Sequence, residues 1–435
     1  MHRLARLAYT AAGLVAETAA PLVPADGGKL QRTFGSRKGV LHRFAEWGDT
    51  RRDPSRPLLW AHAPSVGEGL QARPVLEALR ERHPAFQIAY TYFSPSAEPF
   101  ASTLDVDFRD VLPFDTRHAA RTTLDALAPA ILIFSKLDVW PALTEEAAGR
   151  AIPLALLSAT LAAGSSRGGR LAGVFLRDAY ARLDAVGAIS DDDASRLIGL
   201  GCRPSAVRVT GDTRFDQVIL RARRVHRDGA LLAPLRSTRP TFVVGSSWPA
   251  DERALLPAIV DARGSGSELR VIIAPHEPTA GHLAPIEQWA SSAGLSHARL
   301  GSEASRDADV IVVDKVGVLG ELYSLADWAF VGGGFHAAGL HSVLEPAAYG
   351  APVIIGPRHH GSRDAQLLIA AGGARVGHDR ASLAMAIRDW IADPGARRAA
   401  GAAARRIVED NAGATESSVA LVEQLLDRTG LLPAR

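Results

Sequence analysis

The sequence predicts an α/β protein built of two doubly wound, mostly parallel halves. Three observations carry this. From Pro57 onward, strand-like apolar runs alternate with helical patterns. The chain has 435 residues, too many for one ordinary core and enough for two domains of roughly 200 residues. Loops of glycine and hydroxyl residues follow strand after strand, the place where open α/β sheets hold ligands.

The N-terminus comes first. MHRLARLAYTAAGLVAETAAPLVPADGGKL starts basic and runs mostly apolar from Leu7 to Val23, with Glu17 and Pro21 interrupting. A spanning helix needs about 20 predominantly apolar residues, and a secretory signal needs an unbroken apolar stretch before its cleavage site. Neither pattern is met. An amphipathic helix lying on a membrane, with Arg3 and Arg6 near lipid phosphates, fits the pattern; so does a helix packed on its own domain.

Next come PLLWAHA, FQIAYTYF, DVLPF, ILIFS, AIPLALLSA and DAVGAIS as strands, with helices in GEGLQARPVLEALRERHP, AARTTLDALAPA and DDDASRLIGLG. A second series follows RVTGDTRFD, with strands TFVVGSS, LRVIIAPHE and DVIVVDK and helices ADERALLPAIVDA, HLAPIEQWASSAG and GVLGELYSLA. Beyond Arg380 two or three helices close the chain. The expected division is a helix over 1–25, a first domain over 26–210 and a second over 211–435, with the joint near 205–240.

Composition excludes several classes. A formal charge of +2 gives no global basic field for nucleic acid. The single cysteine, Cys202, cannot form an internal disulfide. No His or Cys spacing suits a metal, and neither a GxxxxGK[ST] loop nor a GxSxG elbow occurs.

The segment GGGFHAAGLHSVLEPAAYGAPVIIGP, residues 332–357, holds the densest signal. Trp328 to Val331 reads as a buried strand, so Gly332, Gly333 and Gly334 lie past its C-terminal end, where bare backbone can approach a ligand. A helix is expected from Ser342 to Gly350. Its N-terminal amides suit phosphate, and Glu345, about one turn in, can accept hydrogen bonds from a ribose diol. The alternative is that the glycines only turn the chain and Glu345 caps its helix. Two loops of the second half match in position: VGSSWPADE, with Gly245 and Ser246, and APHEP, with Pro275 and His276. In the first half HAPSVGEG carries His62, Ser65, Gly67 and Glu68 between a strand and a helix, with Glu68 suited to the helix dipole. YFSPSAE follows the next strand in the same way. TGDTRFD either touches a ligand or links the domains.

HAPSVGEG, SPSA, LPFD, VWP, TGDTRFD, GSSWPADE, PHEP, GELYSLADWAFVGGGF and GLHSVLEPAAYGAPVIIGP, in this order, resemble the bacterial Kdo transferases. These enzymes move 3-deoxy-D-manno-octulosonic acid (Kdo) from CMP-Kdo to lipid A precursors. The resemblance runs over residues 1–425. It implies a GT-B glycosyltransferase fold, two Rossmann-like domains facing a cleft, with inversion at the sugar centre and no metal. It also implies a peripheral place on the cytoplasmic face of the inner membrane. CMP-Kdo is the donor substrate, a lipid A precursor the acceptor, and no cofactor or nucleic acid is expected. Carried onto matching positions, the donor contacts are Gly245, Ser246, Pro275, His276, Gly332, Gly333, Gly334, Ser342 and Glu345. His62, Ser65, Gly67 and Glu68 form the acceptor-side wall.

Three departures stand out. Ser342 replaces an asparagine, Lys136 in SKLDVWP replaces a glutamate, and Arg32 falls where the family has its general-base glutamate. Arginine stays protonated and cannot take a proton from a sugar hydroxyl. Either another carboxylate serves, with Asp26, Glu46, Glu68 and Asp138 as candidates, or the chain binds CMP-Kdo or lipid A without transfer. A UDP-sugar 2-epimerase of the same architecture is the third reading.

Overall fold

Among the described residues, fourteen strands form two parallel seven-stranded sheets. The structure is a computed structural model that describes residues 3–19, 23, 28–161, 170–264, 268–337 and 339–431. Asp26 and Pro21 lie outside the described residues, as do the side chains of Arg3 and Arg6.

The chain divides into two units, Met1–Gln217 with Ala412–Arg435, and Val218–Asn411. In the first, β1 (Leu58–His62), β2 (Gln87–Tyr92), β3 (Phe108–Val111), β4 (Ile131–Ser135), β5 (Leu154–Ala159), β6 (Ala185–Ala188) and β7 (Val207–Val209) lie in the order β3-β2-β1-β4-β5-β6-β7. In the second, β8 (Thr241–Ser247), β9 (Arg270–Pro275), β10 (His297–Arg299), β11 (Val310–Val312), β12 (Trp328–Val331), β13 (Val353–Ile355) and β14 (Ala374–Val376) lie in the order β10-β11-β9-β8-β12-β13-β14. Every pair is parallel. Parallel sheets are covered on both faces, which is why the central strands read as continuous apolar runs: all of β1, β2, β4 and β5 is buried. The helix Val40–Thr50 adds Phe44 and Trp47, whose rings pack 4.7 and 5.1 Å from Phe108. Fully burying such a side chain stabilises by roughly 1.5–3 kcal/mol.

One expectation is corrected. The second domain was taken to run to residue 435, yet the last helix, Ala414–Arg428, belongs to the first unit. Its apolar stripe of Val419, Val422, Leu425 and Leu426 completes that unit's core, and His83 Nε2 meets Glu423 Oε1 at 3.0 Å. The N-terminal helix, Arg3–Ala19, also packs on the first unit. The Tyr9 hydroxyl donates to Asp115 Oδ2 at 2.8 Å, and Gly13 faces Thr116 closely. Burial pushes the Asp115 carboxyl up to about 6, against the pull of donated bonds from the Ala142 and Leu143 amides and from Tyr9.

Sheet order locates the candidate loops. In the first sheet the winding reverses between β1 and β4, and in the second between β8 and β12. Ligands bind outside strand C-termini at such points. His62–Glu68 and Lys136–Trp140 follow β1 and β4; Trp248 and Gly332–Gly334 follow β8 and β12.

Candidate functional site

In the second unit the glycines are first of all spacers. A Cβ on Gly332 would stand 2.1 Å from the Ser246 carbonyl, one on Gly334 2.5 Å from the Gly356 nitrogen, and one on Gly245 1.9 Å from the Tyr323 hydroxyl. Gly333 has φ +93°, left-handed backbone that glycine adopts without strain. The helix Pro249–Arg263 begins at the end of β8, and its Asp251 ties these loops together. Fully buried, Asp251 accepts from the Trp248 amide at 2.9 Å, Gly333 at 2.8 Å and Phe335 at 2.9 Å. The Gly332 amide donates to the Gly245 carbonyl at 2.9 Å. The amides of Gly332 and Gly333, expected to lie bare toward a ligand, thus brace the loop itself.

Around this frame stand Trp248, His276, His336 and His341. The indole stacks on His336 at 4.2 Å and 4°, and on His276 at 4.3 Å and 23°. Trp248 Nε1 donates to His341 Nε2 at 3.1 Å, so His341 carries its proton on Nδ1. Burial, then the neighbouring His276, lowers the His341 pKa below the usual imidazole value. Of these four, sequence reasoning named only His276. Of the missed residues, Trp248 directly follows β8 as His276 follows β9, whereas His336 and His341 lie further along the loop after β12.

The helix expected from Ser342 begins later, at Leu344, and ends at Ala348. Ser342 is exposed. Glu345, half-buried in that short helix, accepts from Arg221 Nη1 at 2.8 Å. Burial raises its carboxyl pKa and Arg221 opposes the rise. Arg221 went unread because residues 205–240 were taken as a joint; they hold the helix Thr213–Arg224.

In the first unit His62 is buried at the end of β1. Trp140 Nε1 donates to its Nε2 at 3.0 Å, so the proton sits on Nδ1, which donates to Thr91 Oγ1 at 3.0 Å. Trp140 Nε1 also reaches Asp138 Oδ2 at 3.1 Å, and that oxygen lies 3.4 Å from His62 Nε2. Ser65 precedes the helix Val66–Arg82, yet its hydroxyl caps no amide and donates to Glu68. Lys136, held at φ +64°, donates to the other Glu68 oxygen at 3.0 Å. Burial works against the Glu68 charge, but these bonds outweigh it and hold the carboxyl below its usual range. Gly67 is exposed, and a Cβ there would stand 3.8 Å from Ser65 Oγ, an ordinary contact. Arg32 is exposed on the last turn of the helix Lys29–Gly35. Among the described residues, no group of three or more His, Cys, Asp or Glu could hold a metal ion.

Two doubly wound parallel sheets, each with polar loops at its switch point, are the two Rossmann-like units of the GT-B type. The chain overlays a putative UDP-N-acetylglucosamine 2-epimerase from Listeria monocytogenes with a TM-score of 0.61 at 12% identity, covering 87% of this chain and 98% of that one. It overlays the UDP-GlcNAc 2-epimerase from Neisseria meningitidis, bound to UDP-GlcNAc, with a TM-score of 0.61 at 13% identity, covering 86% and 100%. At such identities the likeness speaks for fold alone. A family model described as 3-deoxy-D-manno-octulosonic-acid transferase (kdotransferase) matches residues 34–217. The 3-deoxy-D-manno-octulosonic acid transferase of Bordetella pertussis is 32% identical over 399 residues, 88% of this chain and 91% of that protein. The protein of that name from Haemophilus influenzae is 23% identical, over 90% and 92%. The chain belongs to the 3-deoxy-D-manno-octulosonic acid transferase family of glycosyltransferases.

Proposed function

We propose that the protein transfers Kdo from CMP-Kdo to a lipid A precursor in lipopolysaccharide biosynthesis, with inversion at the sugar and without a metal. The observation that carries this is the near full-length kinship with proteins named for that transfer. The second unit takes the donor: Glu345 accepts the ribose diol, and the imidazoles of His276 and His336 stand at the strand ends where the phosphate is placed. An acceptor hydroxyl oxygen bonds to the anomeric carbon, the bond from that carbon to the phosphate oxygen breaks, and CMP leaves with the electron pair.

The proton of that hydroxyl needs a base, worth about 10²–10⁴-fold in rate. Arg32 cannot serve. Glu46 is exposed on the helix Val40–Thr50, which precedes β1. Glu68 and Asp138 sit at the C-terminal ends of β1 and β4, and we assign the proton acceptor to this pair. Asp138, beside His62 and Trp140, is the stronger candidate, because Glu68 is already held ionised by Ser65 and Lys136. In a transfer assay Asp138→Asn is expected to lose at least about a hundredfold in turnover with CMP affinity unchanged, and Glu68→Gln to lose less. Equal, full activity in both variants would remove the base from this pair.

We further propose that the protein works at the cytoplasmic face of the inner membrane, held by its N-terminal helix. No helix among the described residues is long and apolar enough to cross a membrane. Leu14 and Val15, 56% and 66% exposed, point away from the packed Tyr9 and Gly13 side and suit shallow burial in lipid. Leu14→Glu with Val15→Glu is expected to abolish co-flotation with anionic vesicles and lower activity on vesicle-embedded acceptor, leaving CMP affinity intact. Undiminished flotation would exclude this face.

A further inference from the structure

Arg221 meets Glu345 in a seat made by a missing side chain. A Cβ on Gly320 would stand 2.5 Å from the guanidinium carbon, 2.6 Å from Nη2 and 2.8 Å from Nε. Gly320 lies in the short helix Leu319–Leu322 and has no positive φ, so its backbone would accept alanine, at the cost of moving the guanidinium aside. From this seat Nη1 reaches Glu345 Oε1 at 2.8 Å. The guanidinium thus lies in the space that residue 320 leaves open, and the arginine touches the one carboxylate assigned to the donor.

A vicinal diol donates two O–H bonds, and an ionised carboxylate is acceptor-only, with one oxygen for each. A protonated carboxyl turns one oxygen into a donor and loses the charge that strengthens both bonds. We propose that Arg221, seated over Gly320, is a positioning residue that pairs with Glu345 and fixes its carboxylate for the ribose diol of the donor nucleotide. The inference rests on the reading of Glu345 as the ribose acceptor. Burial raises the Glu345 carboxyl and Arg221 counters it. The other titratable groups nearby are Tyr323 and Tyr349, with Glu321 and Arg227 acting on Tyr349; Tyr323 and Tyr349 are themselves pushed above the usual phenol value, chiefly by burial, and stay neutral. Arg221 is thus the cation that opposes the effect of burial on Glu345.

The test is CMP binding to the full chain by calorimetry between about pH 6 and about pH 8.5. Without Arg221 the Glu345 pKa rises further, so binding that needs the ionised form is weakest at low pH and recovers as pH rises. Arg221→Ala is expected to weaken CMP roughly tenfold or more near pH 6, approaching wild type at the upper end. Arg221→Lys should flatten the pH profile by restoring charge, while staying weaker than wild type because an ammonium does not present the planar fork. Gly320→Ala, which alters no charged group, should shift the guanidinium and weaken CMP less than Arg221→Ala does, because the charge stays near Glu345. Wild-type affinity in Arg221→Ala at every pH would overturn the inference, as would a pH-independent loss that lysine does not improve. Glu345→Gln separates the two levels. If it binds CMP normally, the ribose reading itself fails; if it loses CMP while Arg221→Ala and Gly320→Ala keep it, only the role of Arg221 falls.

Discussion

Glu345→Ala is expected to lower CMP affinity by a hundredfold or more while the protein stays folded. A hydrogen bond to a charged group contributes about 1.5–3 kcal/mol, and the diol would make two, which is at least about two decades in Kd. The fold should survive because Arg221, left without its carboxylate, has a side chain 45% exposed and can be solvated. Calorimetry with CMP and with 2′-deoxy-CMP sharpens the reading. The wild type should prefer CMP strongly, and the variant should bind both alike. Equal preference in the wild type, or normal CMP binding by the variant, would remove the ribose from Glu345.

Asp251→Ala should be the most damaging change in the second unit. Its carboxylate gathers the amides of Trp248, Gly333 and Phe335, and truncation leaves buried donors without an acceptor at about 1–3 kcal/mol each. A total near or above roughly 3 kcal/mol lowers the melting temperature by on the order of 10 °C for a unit of this size. CMP affinity should fall as well, because the β8 and β12 loops lose their common tie. Asp251→Asn, which keeps one acceptor oxygen, should lie between. A melting temperature within a degree or two of wild type would show that Asp251 is not the brace of this loop.

The fold was largely legible in the sequence because buried parallel strands are written as apolar runs. LLWAH, ILIFS, LALLSA and TFVVGSS needed no pairing information to be recognised. Three-residue strands such as β7, β10 and β14 carry too few residues for a period to show. The helix Thr213–Arg224 was hidden because linker expectations were laid over an amphipathic pattern. The last helix was visible as a helix, but nothing local in ALVEQLL says whose core it completes. At the site, position was legible and role was not. Gly332 and Gly333 stand at the strand end as expected, yet their amides serve Gly245 and Asp251, a pairing across about 80 residues that no motif spells out. Lys136 read as a departure from the family pattern; in the fold it is the partner of Glu68.

The central claim is transfer itself. Purified protein with freshly generated CMP-Kdo and a tetraacylated lipid A precursor, followed by mass spectrometry, tests it most directly, run beside Arg32→Glu. The account predicts acceptor heavier by Kdo in the wild-type reaction, with CMP released, because a carboxylate other than residue 32 takes the proton. No product from the wild type, with CMP still bound and product restored by Arg32→Glu, would contradict it and leave a protein that binds its donor without transferring the sugar.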